Sequence, residues 1–225
     1  MIQKRSLYHS DFFYYQKGSN PKLLLQSGTH GDEFDVIDLV THYIQTNQHT
    51  LPDFMYVPQV SPSAVKRKTR YNKNKSDINR IFFDSSHDEE VQKNIELLKN
   101  HTFDLCVSFH EDPVETNFYL YDCGYTHDKP LEINGFFKKL TDKGVSLLNG
   151  YDDVADPALG YLFKNGYKFF TNSSEKDEGM ISAWLLGRKI SKWCMIPEIP
   201  GLLPKNKKQL IVTIFFEEVI QKFIG

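Results

Sequence analysis

Short, mainly apolar runs alternate along this chain with longer stretches in which apolar residues return every three or four positions. The runs at 23–27, 54–60, 104–109 and 193–196 predict buried strands, and 12–16 and 117–121 predict two more. Between them, Phe34, Ile37, Val40 and Ile44 fall on one helical face and predict a helix over 32–47. An acidic-to-basic amphipathic pattern predicts a second helix over 89–100, and 207–223 a last one. Strands that alternate with helices predict an α/β fold: a mainly parallel or mixed sheet covered by helices. No linker or repeat divides the pattern, so residues 1–225 are expected to form one domain. The polar segment 61–80 reads as a loop.

Composition changes this picture little but excludes several functions. A hydrophobic share of 40% with 25% charged residues is that of an ordinary globule, and the aromatic share of 14% is high. The formal charge of −2 and a pI near 6.4 leave no global positive field for nucleic acid or an anionic membrane. No apolar run approaches the roughly 18 residues of a membrane span, and the first ten residues lack the apolar core of a secretory signal. Cys106, Cys123 and Cys194 are odd in number and widely spaced. They read as reduced, buried thiols, and together these features predict a cytoplasmic protein.

Chemistry enters where apolar runs stop. Leu23-Leu24-Leu25-Gln26-Ser27-Gly28-Thr29-His30-Gly31-Asp32-Glu33 carries a strand into a Gly turn and delivers a His and a Glu just before a helix. The run 103–109 ends in the same way at His110, closed by Asp112-Pro113. Ligands of open α/β sheets gather at the carboxyl ends of strands, where both His30 and His110 fall. Imidazole nitrogen and carboxylate oxygen suit zinc, and two His with one Glu leave a coordination position open, as a catalytic site requires. The cations of 61–80 could simply be solvated, or could form an anion-binding patch.

The stretch Gly28-Thr29-His30-Gly31-Asp32-Glu33, then Ala64-Val65-Lys66-Arg67-Lys68-Thr69-Arg70-Tyr71, then Asp77-Ile78-Asn79-Arg80-Ile81-Phe82, resembles the aspartoacylase and succinylglutamate desuccinylase branch of the zinc carboxypeptidase superfamily. The resemblance spans about 23–201 and implies a three-layer α/β/α fold with one Zn2+ per chain held by His30, Glu33 and His110. It further implies that Arg70 polarises the scissile carbonyl and that Asn79 and Arg80 hold a substrate carboxylate. A bidentate, permanently charged guanidinium suits both tasks. Glu198, in Met195-Ile196-Pro197-Glu198-Ile199-Pro200, matches the family's general base, and Arg188 matches a substrate-binding Arg through the resemblance alone. Asp77 either orients a ligand His or caps a turn.

Two departures stand out: Ser61 replaces an Asn before Pro, and Ser108 replaces an Asp two residues before the ligand His. The chain also has no length for the family's C-terminal β domain, so a more open cleft is expected. Glu111 next to His110 should point to the opposite face of its strand. Tyr119 and Tyr121 could face the cleft or pack in the sheet. His42, His49, His87, His101 and His127 read as surface residues. The expected function is zinc-dependent hydrolysis of an amide bond in an N-acyl amino acid. The alternatives are a metallocarboxypeptidase acting on a short peptide or cell-wall fragment, and a catalytically silent carboxylate-binding protein. The expected partners are small molecules, with neither nucleic acid nor membrane, and an oligomer is possible.

Overall fold

The strands arise where apolar side chains are needed on both faces. In the computed structural model, which describes residues 1–7, 11–124, 133–171 and 179–223, the central strands β3 (Leu23–Gln26), β4 (Phe54–Val57) and β5 (Leu105–Ser108) are buried throughout. Around them lie β1 (Gln3–Ser6), β2 (Phe13–Lys17), β6 (His110–Asp112), β7 (Tyr119–Gly124), β10 (Tyr167–Thr171) and β11 (Trp193–Pro200). The sheet order is β1-β2-β4-β3-β5-β11-β7-β10, with β6 paired to β11. The β4-β3-β5-β11 centre is parallel, whereas β1, β2 and the β11/β7 pair run antiparallel. A separate ribbon joins β8 (Gly150–Tyr151) to β9 (Leu162–Phe163).

Strand alternation sends the two faces of this sheet into separate cores. Leu23, Leu25, Tyr56 and Val107 pack with helices α1 (Phe34–Asn47), α4 (Asn134–Asp142) and α6 (Lys205–Phe215). Leu24, Met55, Val57 and Cys106 pack on the other side with α3 (Glu89–Leu98) and α5 (Ile181–Gly187). This is the α/β/α sandwich with a mixed, mainly parallel sheet that the sequence leads one to expect.

Several expectations need correction. Segment 61–80 is not all loop: Pro at the first helical position starts α2 (Pro62–Arg67), which Lys68 closes in a left-handed conformation, and Ile78–Arg80 form a 3-10 turn. Phe34 is not a core residue. It is 52% exposed because the buried face of α1 runs through Val36, Ile37, Leu39, Val40 and Ile44. Cys106 and Cys194 are buried, but Cys123 is half-buried and lines a cavity. The last helix begins two residues early and passes into a π-helical turn at Phe216–Ile220. Helices α4 and α5 and strand β10 had no sequence expectation, since each is short and its apolar pattern is brief. His42, His49 and His87 are exposed and His101 stacks on Phe103, while His127 lies outside the described residues.

Candidate active site

Two breaks in strand structure, β3 into α1 and β5 into β6, place three side chains against one another. After β3 the chain turns at Gly28, whose φ of +62° is disfavoured for other residues. It then passes so close to α2 that a Cβ on Gly31 would lie 1.9 Å from the Ala64 carbonyl oxygen, while the Gly31 N–H donates to the Thr69 carbonyl. Replacing Gly31 by Ala is therefore expected to destabilise the protein by roughly 3 kcal/mol, the upper end of overpacking costs, measurable by denaturant titration. This packing delivers His30 into the site and leaves Glu33 as the residue that opens α1.

His30, Glu33 and His110 are all buried, and each offers a ligand atom within 4.8 Å of the others. The Nδ1 atoms of His30 and His110 both face Glu33 Oε1, at 2.5 and 3.1 Å. The second carboxylate oxygen, Glu33 Oε2, is buried and without a hydrogen-bond partner among the described residues. An orphaned carboxylate oxygen beside two imidazole nitrogens is costly unless something cationic completes it, so this donor set fits a divalent metal ion. Burial alone would lower the His30 pKa, but the Glu33 charge and the bonds to Asp77 and Glu33 outweigh it and raise it to about 9. Burial would likewise raise the Glu33 carboxyl, yet His110 and His30 hold it well below the ordinary range.

The other imidazole nitrogens are held from outside. His30 Nε2 lies 3.2 Å from Asp77 Oδ1, and His110 Nε2 lies 3.2 Å from Ser108 Oγ. Both readings of Asp77 hold at once: Oδ1 also accepts the Asn79 backbone N–H, capping the turn, while Oδ2 receives Nε and Nη2 of Arg70 at 2.9 and 2.8 Å. One carboxylate thus orients a candidate ligand and a candidate oxyanion-binding Arg together. Asp77→Asn is expected to lower metal affinity ten- to a hundredfold, as losing such a partner does elsewhere, read by competition with a chelating dye. Ser108, noted above as a departure, supplies the outer contact of His110 itself.

Sheet register brings Glu198 to the same place. It pairs with His110 of β6 on one side and Tyr119 of β7 on the other, so the three side chains stand on one face. Burial raises the Glu198 carboxyl to about 7, opposed by His110 and reinforced by Glu33 and Asp112. Tyr119 and Tyr121 also face the cavity, their hydroxyls donating to Asp112 at 2.7 Å and Asp152 at 2.5 Å. Glu111 points the other way. Its Oε1 takes Lys208 Nζ at 2.6 Å and its Oε2 the backbone N–H of Val36, tying β6 to the start of α1.

His30, Glu33, Ser108, His110, Tyr119, Tyr121 and Glu198 surround a cavity of about 660 Å³ that Arg70, Asn79 and Arg80 also line. Asn79 Oδ1 accepts the Ile181 backbone N–H, fixing α5 to this wall, and Arg80 Nη2 bonds Asp156 at 2.6 Å. Arg188 does not reach the cavity. At the exposed end of α5 it pairs with Asp84, whose other carboxylate oxygen accepts the Trp184 indole N–H. Its place ten residues before Glu198 says nothing of direction, because the chain leaves α5 through Lys189, in a left-handed conformation, before β11 begins. Asp152 and Asp156 had no sequence expectation. Asp156-Pro157 signals only a turn.

Residues 19–152 match the succinylglutamate desuccinylase/aspartoacylase catalytic-domain family. Among solved structures, the chain resembles a proposed metallopeptidase from Shewanella amazonensis SB2B, with 18% identity and a TM-score of 0.77 over 99% of this chain and 87% of that one. A second, from Shewanella denitrificans OS217, gives 21% and 0.75 over 97% and 83%. The murein-tripeptide amidase MpaA from Escherichia coli O157 gives 16% and 0.59 over 95% and 89%. No curated protein sequence matches the chain. No described helix is long and apolar enough to cross a membrane.

Proposed function

Because the chain belongs to the succinylglutamate desuccinylase/aspartoacylase catalytic-domain family, we propose that it is a zinc-dependent hydrolase that cleaves an amide bond in a small, carboxylate-bearing substrate. The observation that carries this reading is the meeting of His30, Glu33 and His110 with Glu198, Arg70 and Arg80 around one cavity.

His30 and His110, through Nδ1, and the carboxylate of Glu33 would hold the ion. When bound, zinc supplies a Lewis acid that polarises the scissile carbonyl and makes water a better nucleophile near neutral pH. Glu198 takes the proton from the attacking water and later returns it to the leaving amine, a task that suits a carboxyl raised by burial above its ordinary range. Arg70, oriented by Asp77, offers its guanidinium to the oxygen on which charge develops. Asn79 and Arg80 grip the substrate carboxylate and so fix which bond faces Glu198. Tyr119 and Tyr121 line the wall beside Glu198.

N-acyl amino acids are the nearest substrates by family. A cavity of about 660 Å³ also has room for a short peptide, which favours a second reading, a metallocarboxypeptidase or cell-wall peptide amidase like the structurally similar murein-tripeptide amidase. The deciding experiment loads the chain with zinc and assays N-acetylaspartate, N-succinylglutamate and dipeptides with a free C-terminus. Release of amine from the first two supports the deacylase, cleavage of dipeptides alone supports the peptidase, and zinc binding with no turnover of any supports a silent carboxylate-binding protein.

A further inference from the structure

Arg80 does not wait empty-handed. The loop 152–161 joins β8 to β9, whose two residue pairs, Gly150 with Phe163 and Tyr151 with Leu162, make a short ribbon. Asp152 closes the neck of this loop: Oδ1 accepts the backbone N–H groups of Gly160 and Tyr161 at 2.7 and 2.6 Å, and Oδ2 accepts the Tyr121 hydroxyl from β7. The tip is different. Val154 is 73% exposed, and Asp153, Ala155 and Pro157 are exposed beside it, so burial does little to hold the tip down. What reaches back is Asp156, whose Oδ1 accepts the Ala158 N–H at 2.9 Å and whose Oδ2 takes Arg80 Nη2 at 2.6 Å, across 76 residues of sequence. Both partners of this ion pair remain about a fifth exposed, which keeps it weak enough to exchange.

We propose that Asp156 is an internal occupant of the carboxylate seat on Arg80, displaced by the carboxylate of the substrate. The inference rests on the reading of Arg80 as a carboxylate-binding residue. A substrate carboxylate takes Nη2 in place of Asp156, and the exposed tip, residues 153–157, swings toward solvent while Ala158 and Leu159 stay packed.

The test compares N-acetyl-L-alanine with its amide, N-acetyl-L-alaninamide, so that the carboxylate is the only difference. Affinities are measured by calorimetry on the zinc-loaded full chain carrying Glu198→Gln to suppress turnover. Asp156→Asn keeps an acceptor for the Ala158 N–H and removes the competing charge. It is expected to raise the preference for the acid over the amide by about three- to fivefold, the factor by which a weak, partly exposed ion pair closing the seat lowers apparent affinity. Adding Arg80→Gln should reduce the preference to near one with either residue at 156. Hydrogen exchange over 153–158 should quicken on saturation with the acid but not the amide. An unchanged or smaller preference in Asp156→Asn, with Arg80→Gln still abolishing it, overturns the proposal and makes Asp156 a positioning partner of Arg80. A preference that survives Arg80→Gln removes instead the reading of Arg80 itself. Unaltered exchange on saturation overturns displacement of the tip.

Discussion

Glu33→Ala is expected to abolish stoichiometric metal binding, from about one ion per chain to none by elemental analysis, because a three-ligand site loses its only anionic ligand. Chelation of the wild type should remove activity, and added zinc should restore it. The size of the effect follows from the geometry. Glu33 Oε1 is the atom on which both His30 and His110 converge, and its buried partner Oε2 has no other company among the described residues. Without the carboxylate, only two neutral imidazoles remain as candidate ligands, and no ligating charge offsets the ion. The variant should still fold, since Glu33 opens α1 without a side-chain capping bond. Retention of one tightly held zinc in Glu33→Ala would sink the assignment of the triad.

Loss of the base should be as visible in rate as loss of Glu33 is in metal. Glu198→Gln keeps the shape and the register with His110 and Tyr119 but cannot accept a proton. The expected drop in kcat is about 10²- to 10⁴-fold, with metal content unchanged. The sign of the pH dependence follows from the raised carboxyl. Glu198 must be ionised to work, so activity is full above its pKa and falls as the pH drops through it. Burial raises that pKa to about 7, and a divalent cation at the triad pulls it down. The acid limb of kcat/KM should therefore lie between the ordinary Glu value near 4.3 and about 7, and it should vanish in Glu198→Gln. A variant that keeps both the rate and the acid limb would place the base elsewhere.

These expectations rest on residues of unequal legibility. His30 and Glu33 could be read as a pair because they lie three apart at one strand-to-helix turn, where local geometry suffices to aim both inward. His110 could be placed at a strand end, and it was joined to His30 only by the rule that ligands gather at such ends and by the family likeness. That meeting depends on β3 and β5 being neighbours, with Leu23 opposite Leu105. Glu198 was found through family likeness. Its physical reason is that β11 runs between β6 and β7, so that the Glu198 side chain stands between those of His110 and Tyr119. Arg188 shows the limit of the same likeness, since a match of residue type carried no information on which way the end of α5 would point.

What the sequence determined by itself was periodicity: which segments bury both faces, which bury one, and where Gly and Pro force turns. Periodicity is local, decided by side chains within a few positions, and it was enough for the α/β class and for the two strand ends that carry His30 and His110. Only the tertiary structure decided how charges are shared. Asp77 serves His30, Arg70 and its own turn, Glu111 is drawn away to Lys208, and Asp156 crosses 76 residues to reach Arg80. A carboxylate pairs with whichever cation the fold brings within about 3 Å, and that distance is set by strand order and loop closure, which no stretch of sequence contains.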